Sequence, residues 1–128
     1  MRIAINALII QGGQILLVRK NQTWILPGGK PIWNESDYGC LVREISEELS
    51  GTEISIGDYY GSFTGKTPHK GDELEARVYF AELNHELNRP SGEIAEAEFI
   101  SNFGEYRLSE ITEKVVKKLI KDRYIGAI

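Results

Sequence analysis

Short runs of branched apolar residues open the chain and predict two β-strands. The runs cover residues 3–10 and 15–19, and Gln11-Gly12-Gly13-Gln14 lies between them. A Gly-Gly pair between two such runs is typical of a tight β-hairpin turn. The sequence therefore predicts that these two strands pair with each other.

Two later stretches carry apolar residues at helical spacing. In residues 37–50 these are Tyr38, Leu41, Val42, Ile45 and Leu49, and residues 109–124 repeat the pattern. Ser36 is the predicted N-cap of the first helix, and Gly51 is its predicted stop. Strand-forming residues dominate residues 24–26, 53–63, 74–83 and 96–100. The order of strands, helix, strands and helix predicts an α/β fold, with helices on the faces of a mixed sheet.

Length and composition narrow the class of protein. The 128 residues contain no repeat, low-complexity tract or Pro/Ser-rich linker, so we expect a single domain over residues 1–128. The single cysteine, Cys40, excludes an internal disulfide. Fifteen basic and 19 acidic residues give a formal charge of −4, which argues against broad contact with nucleic-acid backbones.

The sequence predicts neither a secretory signal peptide nor a membrane-spanning segment. The apolar stretch in residues 1–14 is interrupted by Asn6 and is not followed by a small-residue cleavage site. Every apolar stretch falls short of the roughly 18–20 residues that a membrane span needs. We therefore expect a soluble, cytoplasmic protein that does not act in a membrane.

A cluster of carboxylates lies on one flank of the first predicted helix. At about 100° per residue, Glu44, Glu47 and Glu48 fall together beside the apolar face. Like charges at this spacing destabilise a helix, so a nearby cation is expected, either Arg43 or a hard divalent ion such as Mg²⁺. The alternative is a solvated acidic face. It is weakened by the preceding loop, residues 26–29, where two glycines let backbone atoms approach a ligand.

The spacing of these residues resembles the Nudix box, G-x5-E-x7-R-E-U-x-E-E-x-G-U, in which U is a bulky aliphatic residue. The chain fills seven of its positions: Gly29, Glu35, Arg43, Glu44, Ile45, Glu47 and Glu48. It departs at the end, where Ser50 replaces the glycine and Gly51 replaces the aliphatic residue. The match is much more specific than a lone Gly-rich loop, and we expect an altered helix exit beyond an intact acidic cluster.

The resemblance to small, MutT-like Nudix proteins implies both a fold and a reaction. The fold would be an α/β/α sandwich with a mixed central sheet. The reaction would be hydrolysis of a nucleoside diphosphate linked to another group, with Mg²⁺ or Mn²⁺. By the same resemblance, Glu44, Glu47, Glu48 and the Gly29 carbonyl would bind the metal. Glu35 and Arg43 would mainly orient the helix and the loop.

The general base varies within the family, and four carboxylates are candidates here. Glu48 and Glu44 lie inside the box, and Glu93 lies on a later loop before a short predicted strand, with Glu96 as a second choice there. The alternative for Glu93 is an ordinary solvated loop carboxylate.

Residues around the glycine loop are candidates for substrate contact. Gly28, Gly29, Lys30 and Arg43 could contact the phosphates, and Trp33 could stack on a base, whereas Trp24 is expected in the core. Lys66, His69 and Lys70 lie in a loop bounded by Gly and Pro. They could also contact phosphates, but an exposed hairpin with ordinary charges is the favoured interpretation.

Substrate choice stays open at this point. A nucleoside triphosphate or deoxynucleoside triphosphate is favoured on size alone. ADP-ribose and dinucleoside polyphosphates are alternatives, as is a non-catalytic nucleotide-binding sensor with the Nudix fold. The expected partner is a small nucleotide rather than bulk nucleic acid, and the resemblance also allows a homodimer.

Overall fold

The computed structural model describes residues 1–126, which form eight strands and two α-helices. The strands are β1 (Arg2–Leu8), β2 (Ile10–Gln11), β3 (Gln14–Lys20), β4 (Thr23–Ile25), β5 (Gly28–Gly29), β6 (Ile54–Lys66), β7 (Glu73–Leu83) and β8 (Ile94–Ile100). The helices are α1 (Asp37–Glu48) and α2 (Glu110–Lys121), and a 3₁₀ turn covers Phe103–Glu105. The predicted α/β fold with a mixed sheet and two helices is confirmed.

The strands divide into two four-stranded sheets. The first has the order β5-β1-β7-β6 and is mixed, because β1 runs parallel to β7 while the other neighbours are antiparallel. The second is antiparallel, with β3 between β4 and β8 and with β2 beside the start of β3. The central strands β1, β7 and β3 have neighbours on both sides.

The opening hairpin is shorter than its apolar pattern predicts. The turn itself is present, and Gly12 and Gly13 have φ angles of 56° and 78°, as a type I′ turn requires. However, only Ile10 and Gln11 pair back onto β3, while the whole of β1 pairs with β7 instead. The predicted hairpin is therefore confirmed at its turn, but the prediction that the first run pairs with the second over its length is wrong. An apolar run specifies a buried strand but does not identify its neighbour.

Alternate residues along β1 and β3 face two different cores. Ile5, Ala7 and Leu16 pack with the buried face of α1, while Leu8 and Leu17 pack with α2. One core thus lies between the sheets and α1, and the other lies between the sheets and α2. The segment between β4 and α1 contributes the edge strand β5, which contacts both β1 and α1.

The buried face of α1 differs from the predicted one at its edges. Leu41, Ile45 and Leu49 are fully buried, as expected, and so is Cys40. Tyr38 and Val42, however, are 52% and 49% exposed, so their assignment to the core was wrong. The buried stripe is rotated toward the acidic flank, which brings Glu44 and Glu48 into partly buried positions.

Both ends of α1 are capped by side chains. The Ser36 hydroxyl accepts a 3.0 Å hydrogen bond from the Gly39 N–H, which confirms the predicted N-cap. Beyond the helix, Ser50 and Gly51 have φ angles of 46° and 79°. Ser91 then donates its hydroxyl to the Glu47 carbonyl and its backbone N–H to the Glu48 carbonyl. The exit with Ser50 in place of glycine is therefore accommodated without losing the last helical turn.

Within residues 1–126, both helices have 12 residues, and neither is long and apolar enough to cross a membrane.

Candidate active site

The Gly28-Gly29 pair forms a two-residue edge strand. It pairs antiparallel with β1, with Gly29 opposite Ile5 and Gly28 opposite Asn6. Gly28 has a φ of 141°, and a Cβ atom there would lie 2.1 Å from the Ile5 carbonyl oxygen. Only glycine fits this position, because both the backbone conformation and the space exclude a side chain.

Gly29 brings the backbone against a carboxylate of α1. A Cβ atom on Gly29 would lie 2.4 Å from the Glu44 carboxyl carbon, so that carboxylate packs directly on the Gly29 backbone. The buried Cys40 thiol donates to the Gly29 carbonyl at 3.5 Å. A backbone carbonyl and a glutamate from α1 therefore lie side by side.

Glu48 turns inward from the last turn of α1. Its carboxylate accepts a 2.9 Å hydrogen bond from the Gly28 N–H. Burial raises the pKa of Glu48 to about 8, with smaller contributions from the charges of Glu44 and Glu47. The Gly28 hydrogen bond and the Lys20 charge act in the opposite direction but do not offset the burial. Glu48 is thus a partly buried carboxylate without enough positive charge beside it.

Arg43 is the centre of an ion-pair network on the outer side of the site. Its guanidinium makes two 2.8 Å hydrogen bonds to Glu35, one of 2.9 Å to Glu44 and weaker contacts of 3.4 Å to Glu47. It also donates to the Lys30 carbonyl at 3.1 Å. These contacts tie the segment after the glycine strand to α1. This arrangement is consistent with the orienting role that the Nudix resemblance implies for Glu35 and Arg43.

The network also shifts the ionisation of Glu35. The hydrogen bond from Arg43, with a second from the Ile32 N–H, lowers the pKa of the Glu35 carboxyl to about 2. Glu35 therefore stays charged under nearly all conditions in which the protein is folded.

The donor chemistry of this cluster suits a hard divalent cation. Glu44, Glu47, Glu48 and the Gly29 carbonyl offer only oxygen atoms, which Mg²⁺ prefers. The Lys20 charge offsets only part of the effect of burial on Glu48, and a bound cation would offset more of it. In the part of the chain that the structure describes, no three acidic, His or Cys side chains yet surround one point as metal ligands. The reason is that Arg43 draws Glu44 and Glu47 toward itself while Glu48 faces Gly28.

A cavity of about 270 Å³ opens beside Glu48 and the glycine strand. Its apolar wall includes Ile25, Leu26, Leu74 and Ile111, and its polar wall includes Asn6, Thr23, Ser109 and Thr112. Its basic lining residues are Arg2, Lys20, Lys30, Lys66, His69 and Lys70. The favoured interpretation of Lys66, His69 and Lys70 as ordinary exposed loop residues therefore missed their position at this cavity.

The loop between β6 and β7 forms one side of the cavity. The Thr67 hydroxyl donates to Asp72 at 2.6 Å, and Asp72 in turn pairs with Arg2 at 2.8 Å. At the tip, the Asn21 amide and the His69 ring lie 3.3 Å apart. Because Asn21 follows β3 of the second sheet, this contact joins the loop to the opposite side of the cavity.

Glu93 and Trp33 lie outside this cavity lining. Glu93 is highly exposed and pairs with Lys20 at 2.8 Å, and this hydrogen bond lowers the pKa of Glu93. Trp33 is 92% exposed. Trp24, by contrast, is buried in the core and packs edge-on against Tyr106, as expected. Roles for Glu93 in catalysis and for Trp33 in substrate stacking stay predictions.

Several cavity residues could not be found from local motifs. Arg2, Asn6, Thr23 and Thr112 come from two strands and a helix that are far apart in the sequence. Each is an unremarkable residue in its own segment. Only the pairing of β1 with β5 and the packing of α2 bring them together.

Comparison with known proteins identifies the class. The model of the NUDIX domain matches residues 1–119, and the chain therefore belongs to the Nudix family. The mRNA-decapping protein g5R of African swine fever virus is 35% identical over 103 residues, which are 67% of this chain and 38% of that protein. The chain thus spans well under half the length of this curated relative.

Solved structures of similar shape support the same fold. The MutT protein from Methanosarcina mazei Go1 matches with a TM-score of 0.80 and 23% identity, over 95% of this chain and 94% of that one. An ADP-ribose pyrophosphatase from Streptococcus suis 89-1591 matches with a TM-score of 0.74 and 23% identity, over 95% and 92%. The names of these relatives refer to different substrates, so the substrate has to be inferred from the cavity of this chain.

Proposed function

We propose that this protein is a metal-dependent pyrophosphohydrolase that cleaves a nucleoside diphosphate linked to another group. The observation that carries the proposal is the position of Glu48. This partly buried carboxylate meets the Gly28 backbone at the edge of a cavity lined by basic residues. Acidic metal ligands beside a basic cavity are what a phosphorylated substrate and its cation require together.

The residues that would hold Mg²⁺ or Mn²⁺ are Glu44, Glu47, Glu48 and the Gly29 carbonyl. A bound ion would neutralise the diphosphate and lower the pKa of a water molecule. To bind it, Glu44 and Glu47 must share their carboxylates between the ion and Arg43. Arg43 and Glu35 keep α1 and the glycine strand in place during this change, because Arg43 also binds the Lys30 carbonyl.

Glu48 is the preferred candidate for accepting the proton of the attacking water. Within residues 1–126 it is the one glutamate of the proposed metal set that lines the cavity, where the substrate would lie. Glu93 is a weaker candidate for two reasons. Its side chain is highly exposed, and its ion pair with Lys20 lowers its pKa. In this proposal Glu93 acts mainly by holding Lys20 beside the cavity.

The size of the cavity favours a substrate with one nucleoside. Its volume of about 270 Å³ lies just below the range of about 300–1,000 Å³ that is typical of pockets for drug-sized ligands. A single nucleoside suits this space better than both halves of a dinucleoside polyphosphate. Nucleoside triphosphates and deoxynucleoside triphosphates are therefore the first candidates, and ADP-ribose is the second.

The test is a hydrolysis screen with Mg²⁺ and with Mn²⁺. The panel contains nucleoside triphosphates, ADP-ribose, dinucleoside polyphosphates and nucleotide sugars, and the readout is released phosphate or monophosphate. We expect Glu48→Gln to lose nearly all turnover and Glu93→Gln to lose only part of it, while both remain folded. Glu113→Gln is the matched control, because it removes the same charge from an exposed position of α2 that is not among the cavity-lining residues.

Near-normal turnover of the Glu48→Gln protein would contradict the assignment. Binding of nucleotides without turnover of any panel member would instead favour the alternative, a nucleotide sensor with the same fold. Titration calorimetry with a non-hydrolysable triphosphate analogue measures nucleotide binding separately from turnover, and so identifies a sensor.

A further inference from the structure

Positive charge is concentrated at the cavity in a chain that is acidic as a whole. The sequence has 15 Lys and Arg residues against 19 Asp and Glu residues. Among the residues that line the cavity, however, five are Lys or Arg, and Glu48 is the one carboxylate. A third of the basic residues of the chain therefore line one small space, so positive charge is concentrated there.

Three of these five cations are not neutralised by the protein. Arg2 pairs with Asp72 and Lys20 pairs with Glu93, each at 2.8 Å. Lys30, Lys66 and Lys70 make no ion pair within residues 1–126. The three side chains are exposed, so solvent screens their mutual repulsion, and an anion that enters the cavity would be attracted to all three.

We infer that Lys30, Lys66 and Lys70 form an anion-binding site for a phosphate group that the substrate carries in addition to the hydrolysed diphosphate. The inference rests on the proposed function, which places the hydrolysed diphosphate at the α1 glutamates. A metal ion would already neutralise that diphosphate, so these lysines are left for a separate charge.

The walls of the cavity support a phosphate at this position. Lys30 directly follows the glycine strand, while Lys66 and Lys70 lie at the β6–β7 loop, so the ammonium groups approach from two segments. The first turn of α2 also lines the cavity and presents the positive end of its dipole. The Glu110 carboxylate at this turn interacts with Lys114 and with the Lys66 N–H, and does not line the cavity.

The extra phosphate could come from two sources that share this chemistry. It could be a further phosphate in the linear chain, as in a nucleoside triphosphate, or a phosphate on a sugar hydroxyl. In either case the apolar wall formed by Ile25, Leu26 and Leu74 would take the uncharged part of the substrate.

The first experiment measures binding without any hydrolysis. Metal-stripped protein is titrated calorimetrically with inorganic tripolyphosphate and with pyrophosphate. We expect Lys66→Gln/Lys70→Gln to bind tripolyphosphate about tenfold more weakly than the unsubstituted protein. Lys117→Gln/Lys121→Gln is the matched control. It removes the same net charge from exposed positions of α2 that make no ion pair with the described residues, 1–126, and do not line the cavity.

Lys30 is left unchanged in these variants, because it directly follows the glycine strand at the proposed metal site. Thermal unfolding of each variant without ligand verifies that the fold is intact. Equal weakening in both double variants, or in neither, would overturn the inference.

The second experiment identifies the source of the phosphate. Values of kcat/KM are compared for GTP against GDP and for 2′-phospho-ADP-ribose against ADP-ribose. In one of these pairs we expect the member with the extra phosphate to lose about tenfold in Lys66→Gln/Lys70→Gln, while the other member changes less than about twofold.

The two proposals fail in different ways. Hydrolysis that is insensitive to the lysine substitutions in both pairs would refute the anion site and leave the pyrophosphohydrolase intact. Lysine-dependent binding of tripolyphosphate without hydrolysis of any substrate would refute the proposed function and support the anion site.

Discussion

The backbone N–H of Gly28 and the carboxylate of Glu48 are joined by a 2.9 Å hydrogen bond. This contact ties the edge strand β5 to the last turn of α1. The conformation of Gly28, with a φ of 141°, is the local feature that makes it possible. One hydrogen bond does not replace the hydration that the Glu48 carboxylate loses on burial. Its charged form is therefore destabilised in the folded protein.

This destabilisation predicts a pH-dependent stability for metal-stripped protein. The pKa of Glu48 is raised from 4.5 to about 8 on folding, so the folded state holds its proton more tightly than the unfolded state. This contribution to stability is complete below pH 4.5 and is lost as the pH rises toward about 8. Glu48→Gln cannot lose a proton, and its amide oxygen can still accept from Gly28. We expect the variant to be more stable than the unsubstituted protein by about 1–3 kcal/mol at the upper end of this range.

Urea unfolding at several pH values measures this difference. The gap between the two proteins should grow with pH and shrink when Mg²⁺ is added, because a bound cation stabilises the carboxylate. A gap that is the same at all pH values would mean that Glu48 is not the titrating group.

Gly29→Ala should damage activity more than stability. The added Cβ would lie 2.4 Å from the Glu44 carboxyl carbon, and the flexible glutamate can move away at little cost to the fold. Its displacement removes a proposed metal ligand, for which we expect a loss of about 10–100-fold in metal affinity or turnover. Titration of activity with Mg²⁺ measures it, and Gly104→Ala, whose Cβ meets nothing within 4 Å, is the control.

Gly28→Ala should behave differently and lower the unfolding temperature. Its Cβ would lie 2.1 Å from the backbone oxygen of Ile5, which cannot move without disturbing the sheet. Equal loss of stability in the two variants would contradict the proposal that Gly28 is required mainly for the fold and Gly29 mainly for activity.

The sequence was most informative where the chemistry is local. The N-cap at Ser36, the carboxylate cluster on α1 and the Gly28-Gly29 approach all depend on residues within one or two turns of one another. Periodicity and capping preferences act over this distance, so these features could be predicted. The family box added the roles that spacing alone leaves open.

What escaped prediction depends on contacts between distant segments. The partner of β1 is β7 rather than β3, and nothing in either apolar run distinguishes these two neighbours. The exposure of Tyr38 and Val42 has the same origin, because the sheet beneath α1 decides which stripe is buried. The basic cavity is assembled from five separate segments, and therefore Lys66 and Lys70 resembled an ordinary loop.

Glu35→Gln should weaken the fold in neutral solution but not in acid. Hydrogen bonds from Arg43 and from the Ile32 N–H lower the pKa of Glu35 from 4.5 to about 2. A lowered pKa contributes stability above pH 4.5 and loses it as the pH falls toward about 2. The melting temperature of the variant should therefore be lower at neutral pH and approach that of the unsubstituted protein in acid. Glu113→Gln, on the exposed face of α2, is the control, and its melting temperature at neutral pH should match that of the unsubstituted protein.

The thiol of Cys40 should be unreactive in the folded protein. Cys40 is fully buried under α1, and burial, followed by the negative charge of Glu35, raises its pKa to about 12. The thiolate is the reactive form, so both access and ionisation oppose modification. We expect Ellman's reagent to label no thiol under native conditions and one thiol per chain in denaturant, as followed by absorbance. Rapid labelling of the native protein would show that α1 separates from the Gly29 carbonyl to which this thiol donates. The glycine strand would then be a mobile part of the site rather than the fixed edge on which the metal-site proposal depends.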